Sequence, residues 1–256
     1  MHIFIRYLLI FFIFLSMRSY GVCSKKEKDS IQTQICDSNV FLKRLDYLNN
    51  QSPMDLKYNE YVDPFIKNYI DKNSRLISRM LNLSDYYFPI FEQCLDKYNL
   101  PLELKYLSIV ESALNPKARS KSGAVGLWQF MYTTGKEYDL NVTSFLDERQ
   151  DPYKSTEAAC IYFQKLYDMF GDWNLVLAAY NGGPGYIKRK INKTGMQDFW
   201  SLRPYLRSET RNYVPTFIAM NYIMNFYYEH TIIKDTIDLR LKRLDTLTLN
   251  DQVSYA

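Results

Sequence analysis

From residue 63 to residue 230 the apolar residues recur at helical spacing, and Pro and Gly cut the pattern into separate segments. Such a chain buries its apolar faces by packing helices on one another, so the fold class is mainly α. Asp63-Pro64 opens the first helix, with Ile66, Tyr69, Ile70, Ile77 and Met80 along one face. Asp63 suits the N-cap and Pro64 the first turn. A second helix is expected over about 86–98 and a third over about 101–114. The third stops at Asn115-Pro116, because the residue before a proline avoids the α region. Another is expected to start near Gly126 or Leu127. Asp151-Pro152 opens a helix that turns Ala159, Tyr162, Phe163, Leu166 and Phe170 inward and closes at Gly171. A short apolar helix, Leu175 to Tyr180, runs into Asn181-Gly182-Gly183-Pro184-Gly185, and a long helix follows Glu209 to about His230.

The flanks differ from this body. Met1 to Arg6 is a basic start and Tyr7 to Leu15 a short apolar run, so residues 1–21 are expected to be a secretory signal. Cys23 follows closely behind a poor lipoprotein box, Tyr20-Gly21-Val22. A cleaved signal, a lipid anchor at Cys23 and an uncleaved membrane anchor all stay open, and with them a membrane association through the N-terminus. Residues 22–62 are expected to be a polar, irregular extension with Lys25 to Asp29 exposed. Residues 231–256 switch to strand periodicity: Ile237, Leu239 and Leu241 alternate with Asp238, Arg240 and Lys242. They form a short β-like tail, either a docked hairpin or a linker.

Composition closes several function classes. The net charge of +4 is too small for nucleic-acid binding. The run Lys188-Arg189-Lys190 reads as a solvated helix face. His2 and His230 are the only histidines, and the four cysteines have no metal-ligand spacing, which argues against zinc and Ser-His chemistry. Cys94 lies on a stripe with Phe88, Phe91, Leu95 and Tyr98 and reads as a small core residue, as does Cys160. With 23 Tyr and 15 Phe the chain is rich in rings that could pack on sugars or simply fill the core.

One carboxylate interrupts the apolar pattern. The inward stripe of the third helix reads Leu100, Leu104, Leu107, Glu111, Leu114, with Lys105 and Ser112 on the opposite side. A carboxylate among apolar residues resists ionising, and its pKa rises toward that of a general acid. A structural Glu paired with an Arg, or a wetter helix face, would look the same on this helix alone.

Four blocks decide between those readings: Glu111-Ser112 followed by Asn115-Pro116; Gly123 to Gln129; Ala178-Ala179-Tyr180-Asn181-Gly182-Gly183; and Glu209 to Val214. In this order they resemble the lytic transglycosylases of the soluble-lytic-transglycosylase superfamily, particularly the membrane-bound murein transglycosylase D type, over about residues 63–230. The resemblance implies a lysozyme-like helical domain acting on peptidoglycan glycan strands in the periplasm or cell envelope, with no metal or cofactor. It implies that Glu111 is the single catalytic acid/base and that Ser120 assists it. Gln129, Met131, Tyr180, Asn181 and Tyr213 are implied to bind substrate. Each has a plainer reading: a turn cap for Ser120, a backbone cap for Gln129, core packing for Met131 and Tyr213, a helix terminator for Asn181. Trp128 departs from the family, which often has Met there.

The chemistry fits the resemblance. Most glycosidases need two carboxylates, yet from Ser112 to Lys136 there is no Asp or Glu. A lone acid suits a reaction in which the substrate's own acetamido and C6 hydroxyl groups do the rest. Two alternatives stand beside it. A goose-lysozyme-type hydrolase would recruit Asp139, Asp147 or Glu148 as a second acid; a silent peptidoglycan-binding protein would need none of these residues.

Overall fold

The computed structural model describes the backbone of residues 26–234 and the side chains of residues 38–234. The expected signal, Cys23 and the strand-patterned segment from Ile237 onward lie outside the described residues. The described part is mainly α, with only isolated antiparallel bridges at Arg119–Val125, Val125–Phe130 and Val142–Asp147. No described helix is long and apolar enough to cross a membrane.

The helices are α1 (Lys26–Asn49), α2 (Asp63–Lys72), α3 (Ser74–Lys97), α4 (Leu107–Ser112), α5 (Tyr132–Glu137), α6 (Pro152–Phe170), α7 (Trp173–Gly182), α8 (Pro184–Thr194), α9 (Phe199–Leu202) and α10 (Ser208–Phe226). The expected first helix divides at Asn73, so Ile66 lies on α2 while Ile77 and Met80 begin α3, which also absorbs the expected second helix. Pro89 sits inside α3 without ending it. Residues 26–49 are helical where an irregular segment was expected, and Phe41 and Leu45 are buried in the common core. Their spacing of four is one helical turn, which the charged residues around them obscure.

α6 follows the sequence reading closely. Asp151 caps it, accepting from the backbone N–H groups of Tyr153 and Lys154 at 2.9 Å each, and Gly171 ends it in the left-handed region at φ +63°. Asp172 then caps α7 through Leu175 N–H at 2.7 Å. α10 is the central element; residues Tyr213–Pro215 and Phe217–Met224 are buried, and it packs on α2, α4 and α7. Its interior Pro215 has no N–H to give the carbonyl of Arg211 four residues earlier. Arg203 Nε donates to that carbonyl instead, at 3.1 Å. Cys94 is half-buried and Cys160 buried, both free thiols raised by burial, as small core residues would be.

The last described residues are docked. Ile232 is buried, Ser78 Oγ donates to the Ile233 carbonyl at 2.6 Å, and Lys234 pairs with Asp85 on α3.

Candidate active site

Glu111 lies in the last turn of α4, half-buried. The helix is shorter than expected: a 3-10 turn, Leu102–Tyr106, precedes it, and Ala113 and Leu114 adopt left-handed φ of 52° and 59°. Two such non-glycine residues in succession cost on the order of 1–3 kcal/mol each. Their effect is to stop the helix directly after Glu111-Ser112, so the carboxylate stands at a helix end and not midway along a buried stripe. The stripe itself is correct: Leu100, Leu104, Leu107 and Leu114 are all buried.

Ser112 corrects the expected polarity of this helix. It is buried, and its hydroxyl is within hydrogen-bond distance of the carbonyls of Ser108 and Leu127 at 2.9 and 3.0 Å. It therefore ties α4 to the glycine-containing loop. Tyr180, on the last turn of α7, ties down the next carbonyl, donating to Trp128 O at 2.7 Å. Glu111 meets α10 directly: the buried Tyr213 hydroxyl donates a short hydrogen bond to its Oε1. Beside it Thr210 Oγ1 donates to Asn181 Oδ1 at 3.0 Å. Gly182 lets this approach happen, since a Cβ there would lie 3.0 Å from Thr210 Oγ1. The first, third and fourth sequence blocks thus converge through α4, α7 and α10.

The second block folds differently from expectation. No helix starts at Gly126; residues 118–131 form a loop closed by its own backbone hydrogen bonds. Gly126 N–H donates to Ala118 O at 3.0 Å, while Val125 and Phe130 exchange backbone hydrogen bonds at 3.0 and 3.1 Å. Those bonds and a left-handed Gln129 at φ 50° are incompatible with continuous helix. Gly126 has φ +89°, and a Cβ on it would fall 1.8 Å from the Arg149 carbonyl oxygen, so only glycine fits.

Ser120 and Gln129 both bond within the loop. Ser120 Oγ accepts from Ala124 N–H at 2.9 Å and lies 3.0 Å from Ser122 Oγ. Gln129 is buried, and its amide donates to Gly126 O at 2.9 Å and Ala118 O at 3.3 Å. Both hold the loop. Met131 is half-buried at the N-cap of α5. Trp128 is fully buried; its indole N–H donates to Thr156 Oγ1 at 2.9 Å, and its ring packs on Phe91 and Phe163. The aromatic replacement is core packing.

Arg149 was missed by sequence reasoning. It is 5% exposed, and its guanidinium donates to the carbonyls of Gly123 and Phe130 at 3.2 Å each and to both Asp147 oxygens at 2.8 Å. It is the internal strut of the loop. Its neighbours answer the question of a second acid. The Arg149 hydrogen bond holds the Asp147 carboxyl below the usual range, and the Lys154 hydrogen bond does the same for Glu148. Both are ionised struts. Asp139 is exposed, at a left-handed turn.

Residues 89–202 match the family described as "Transglycosylase SLT domain". Over those residues the chain is similar to SLT domains. Membrane-bound lytic murein transglycosylase D of Escherichia coli (strain K12) is 38% identical over 183 residues, which are 70% of this chain and 40% of that protein. Soluble lytic murein transglycosylase of the same strain is 33% identical over 126 residues, 46% of this chain and 19% of that protein. The chain therefore spans less than half the length of these relatives. The crystal structure of the 70 kDa soluble lytic transglycosylase from Escherichia coli superposes with a TM-score of 0.49 at 22% identity, over 70% of this chain and 33% of that one. The SLT match covers Glu111, the loop of residues 118–131 and the Tyr180-Asn181 pair, and it ends before Tyr213.

Proposed function

We propose that this chain is a peptidoglycan lytic transglycosylase of the cell envelope, cleaving the β-1,4 bond between N-acetylmuramic acid and N-acetylglucosamine. The observation that carries this reading is the contrast among its carboxylates. Glu111 takes a hydrogen bond from a neutral phenol, whereas Asp147 and Glu148 are committed to cations. Glu111 donates its proton to the glycosidic oxygen as the C1–O bond breaks. The neighbouring acetamido group supports the positive charge at C1. Glu111, now a carboxylate, takes the proton from the C6 hydroxyl, and that oxygen bonds to C1. The acid is restored, no water is consumed, and a 1,6-anhydro sugar results.

In this reading residues 63–230 are the catalytic unit, residues 1–21 the leader and residues 231–256 an appendage. Tyr213 orients the Glu111 carboxyl; Tyr180 and Asn181 shape the facing wall; Ser120, Gln129 and Met131 set the loop and its rim. The test is mass spectrometry of digested peptidoglycan. Fragments should end in 1,6-anhydro-muramic acid, one water lighter than hydrolysis products. Reducing-end fragments alone would assign a hydrolase.

A further inference from the structure

A side-chain amide has a donor end and an acceptor end, and the end that faces a ligand decides what the ligand can offer it. Asn181 is half-buried in the last turn of α7. Another helix sets its amide. Thr210, in the first turn of α10 and 2% exposed, donates its hydroxyl to Asn181 Oδ1 at 3.0 Å.

Other helical threonines of this chain spend their hydroxyls locally. Thr156, Thr194 and Thr216 each donate to the carbonyl four residues earlier, at 2.5, 2.8 and 2.7 Å. Thr210 comes too early in α10 for that, because the carbonyl four residues back belongs to Leu206 and the helix begins at Ser208. Its one hydroxyl hydrogen goes instead to a residue 29 positions away in the chain.

The fit around the pair is close. Gly182 follows Asn181, and a Cβ on it would lie 3.0 Å from Thr210 Oγ1 and 3.2 Å from Thr210 Cγ2. A side chain there would press on the hydroxyl that holds the amide. Thr210 and Tyr213 are three residues apart on α10 and so lie on one face. Tyr213 donates to Glu111 Oε1. One helix face thus holds two polar side chains of the site through hydroxyl donors, the acid on α4 and the amide on α7. With Oδ1 bonded to Thr210, the Nδ2 end of the same planar group is turned another way.

We propose that Thr210 is a positioning residue for the glycan: it holds the Asn181 carbonyl oxygen against α10, so that the amide nitrogen serves as a donor to a sugar oxygen. This rests on the transglycosylase reading for its substrate. The test uses the full chain with Glu111→Gln, so that binding is read without turnover. The probe is a stem-free glycan fragment of alternating N-acetylglucosamine and N-acetylmuramic acid. Thr210→Val keeps the branched shape and removes the hydroxyl; it should weaken binding about fivefold, within the range that one side-chain hydrogen bond supplies. Thr210→Ser keeps the hydroxyl and should bind within about twofold of the parent. Asn181→Ala should weaken binding at least as much as Thr210→Val. Adding Thr210→Val to it should change nothing further, because Thr210 acts only through the amide. If circular dichroism shows that valine disturbs the fold at this tight contact, Thr210→Ala removes the same hydroxyl without the bulk and is read the same way. A valine or alanine variant that binds like the parent overturns the proposal. So does a serine variant as weak as the valine one, which would make Thr210 a packing residue. A double variant in which the two losses multiply would give Thr210 a role apart from Asn181 and also overturn it. Failure of the transglycosylase reading is separate: the protein with Glu111 intact would yield no 1,6-anhydro ends, whatever the binding ratios.

Discussion

The end of α4 and the segment from Asp147 to Lys154 both hold carboxylates in close contact with the rest of the domain, yet they treat them in opposite ways. Glu111 meets the neutral hydroxyl of Tyr213. Asp147 faces Arg149 at 2.8 Å, with Arg119 at 3.7 Å, and Glu148 faces Lys154 while accepting from Asn141 N–H at 2.8 Å. A carboxylate beside a guanidinium is locked in its charged form and works as an anchor. A phenol donates its hydrogen bond without a positive charge, so this contact does not lock the carboxylate in the way a guanidinium does. Burial alone does not distinguish the two here: Glu148 is more deeply buried than the half-buried Glu111, and Asp147 is half-buried as well.

The largest test of that contrast is Glu111→Gln. It should reduce turnover by at least about 10²–10⁴-fold, the usual contribution of general acid/base help, while thermal melting stays within about 2 °C of the parent. Retention of a tenth of the activity would remove Glu111 from the chemistry. Next is Arg149→Met, which leaves Asp147 without its main cation and two loop carbonyls without a donor. Breaking such a pair from one side should cost about 3–5 kcal/mol in denaturant unfolding; a loss under about 1 kcal/mol would show that the loop stands without its strut.

Tyr213→Phe is the milder change on the catalytic side. The ring stays packed and only the hydrogen bond to Glu111 goes, so kcat should fall about tenfold, roughly 1.4 kcal/mol, with KM little altered. An unchanged kcat would make Tyr213 a packing residue. The smallest effect is a pH dependence. Arg149 depresses the folded pKa of Asp147. The stability this contributes is fully present above the unfolded aspartate value of about 3.9 and is lost as pH falls through the lower folded value. The stability gap between parent and Arg149→Met should therefore narrow as pH drops from neutrality toward 3. A gap constant over that range would mean that Arg149 acts only through the two carbonyls.

The sequence carried the helical body and the capping of α6 by Asp151 and Gly171, because caps and apolar spacing act over a few residues of chain. It misread the Gly126 segment as a helix start. Glycine and an apolar run do suggest one, but the 1.8 Å approach to the Arg149 carbonyl involves a segment more than twenty residues away. It also put Ser112 outside, since a serine's partner, here the Leu127 carbonyl, cannot be seen from helical spacing.

What the sequence determined by itself is therefore the class of fold and the order of the blocks, with Glu111 as the candidate acid. Only the tertiary structure decided what each polar side chain is bonded to. It made Gln129 and Ser120 loop holders, Arg149 a strut, and Tyr213 the partner of Glu111. It also set Arg203 under the carbonyl that Pro215 frees. The physical reason is range. Backbone preference and apolar periodicity are local properties, whereas a hydrogen bond or ion pair needs two groups within about 3 Å, and packing alone brings distant residues that close.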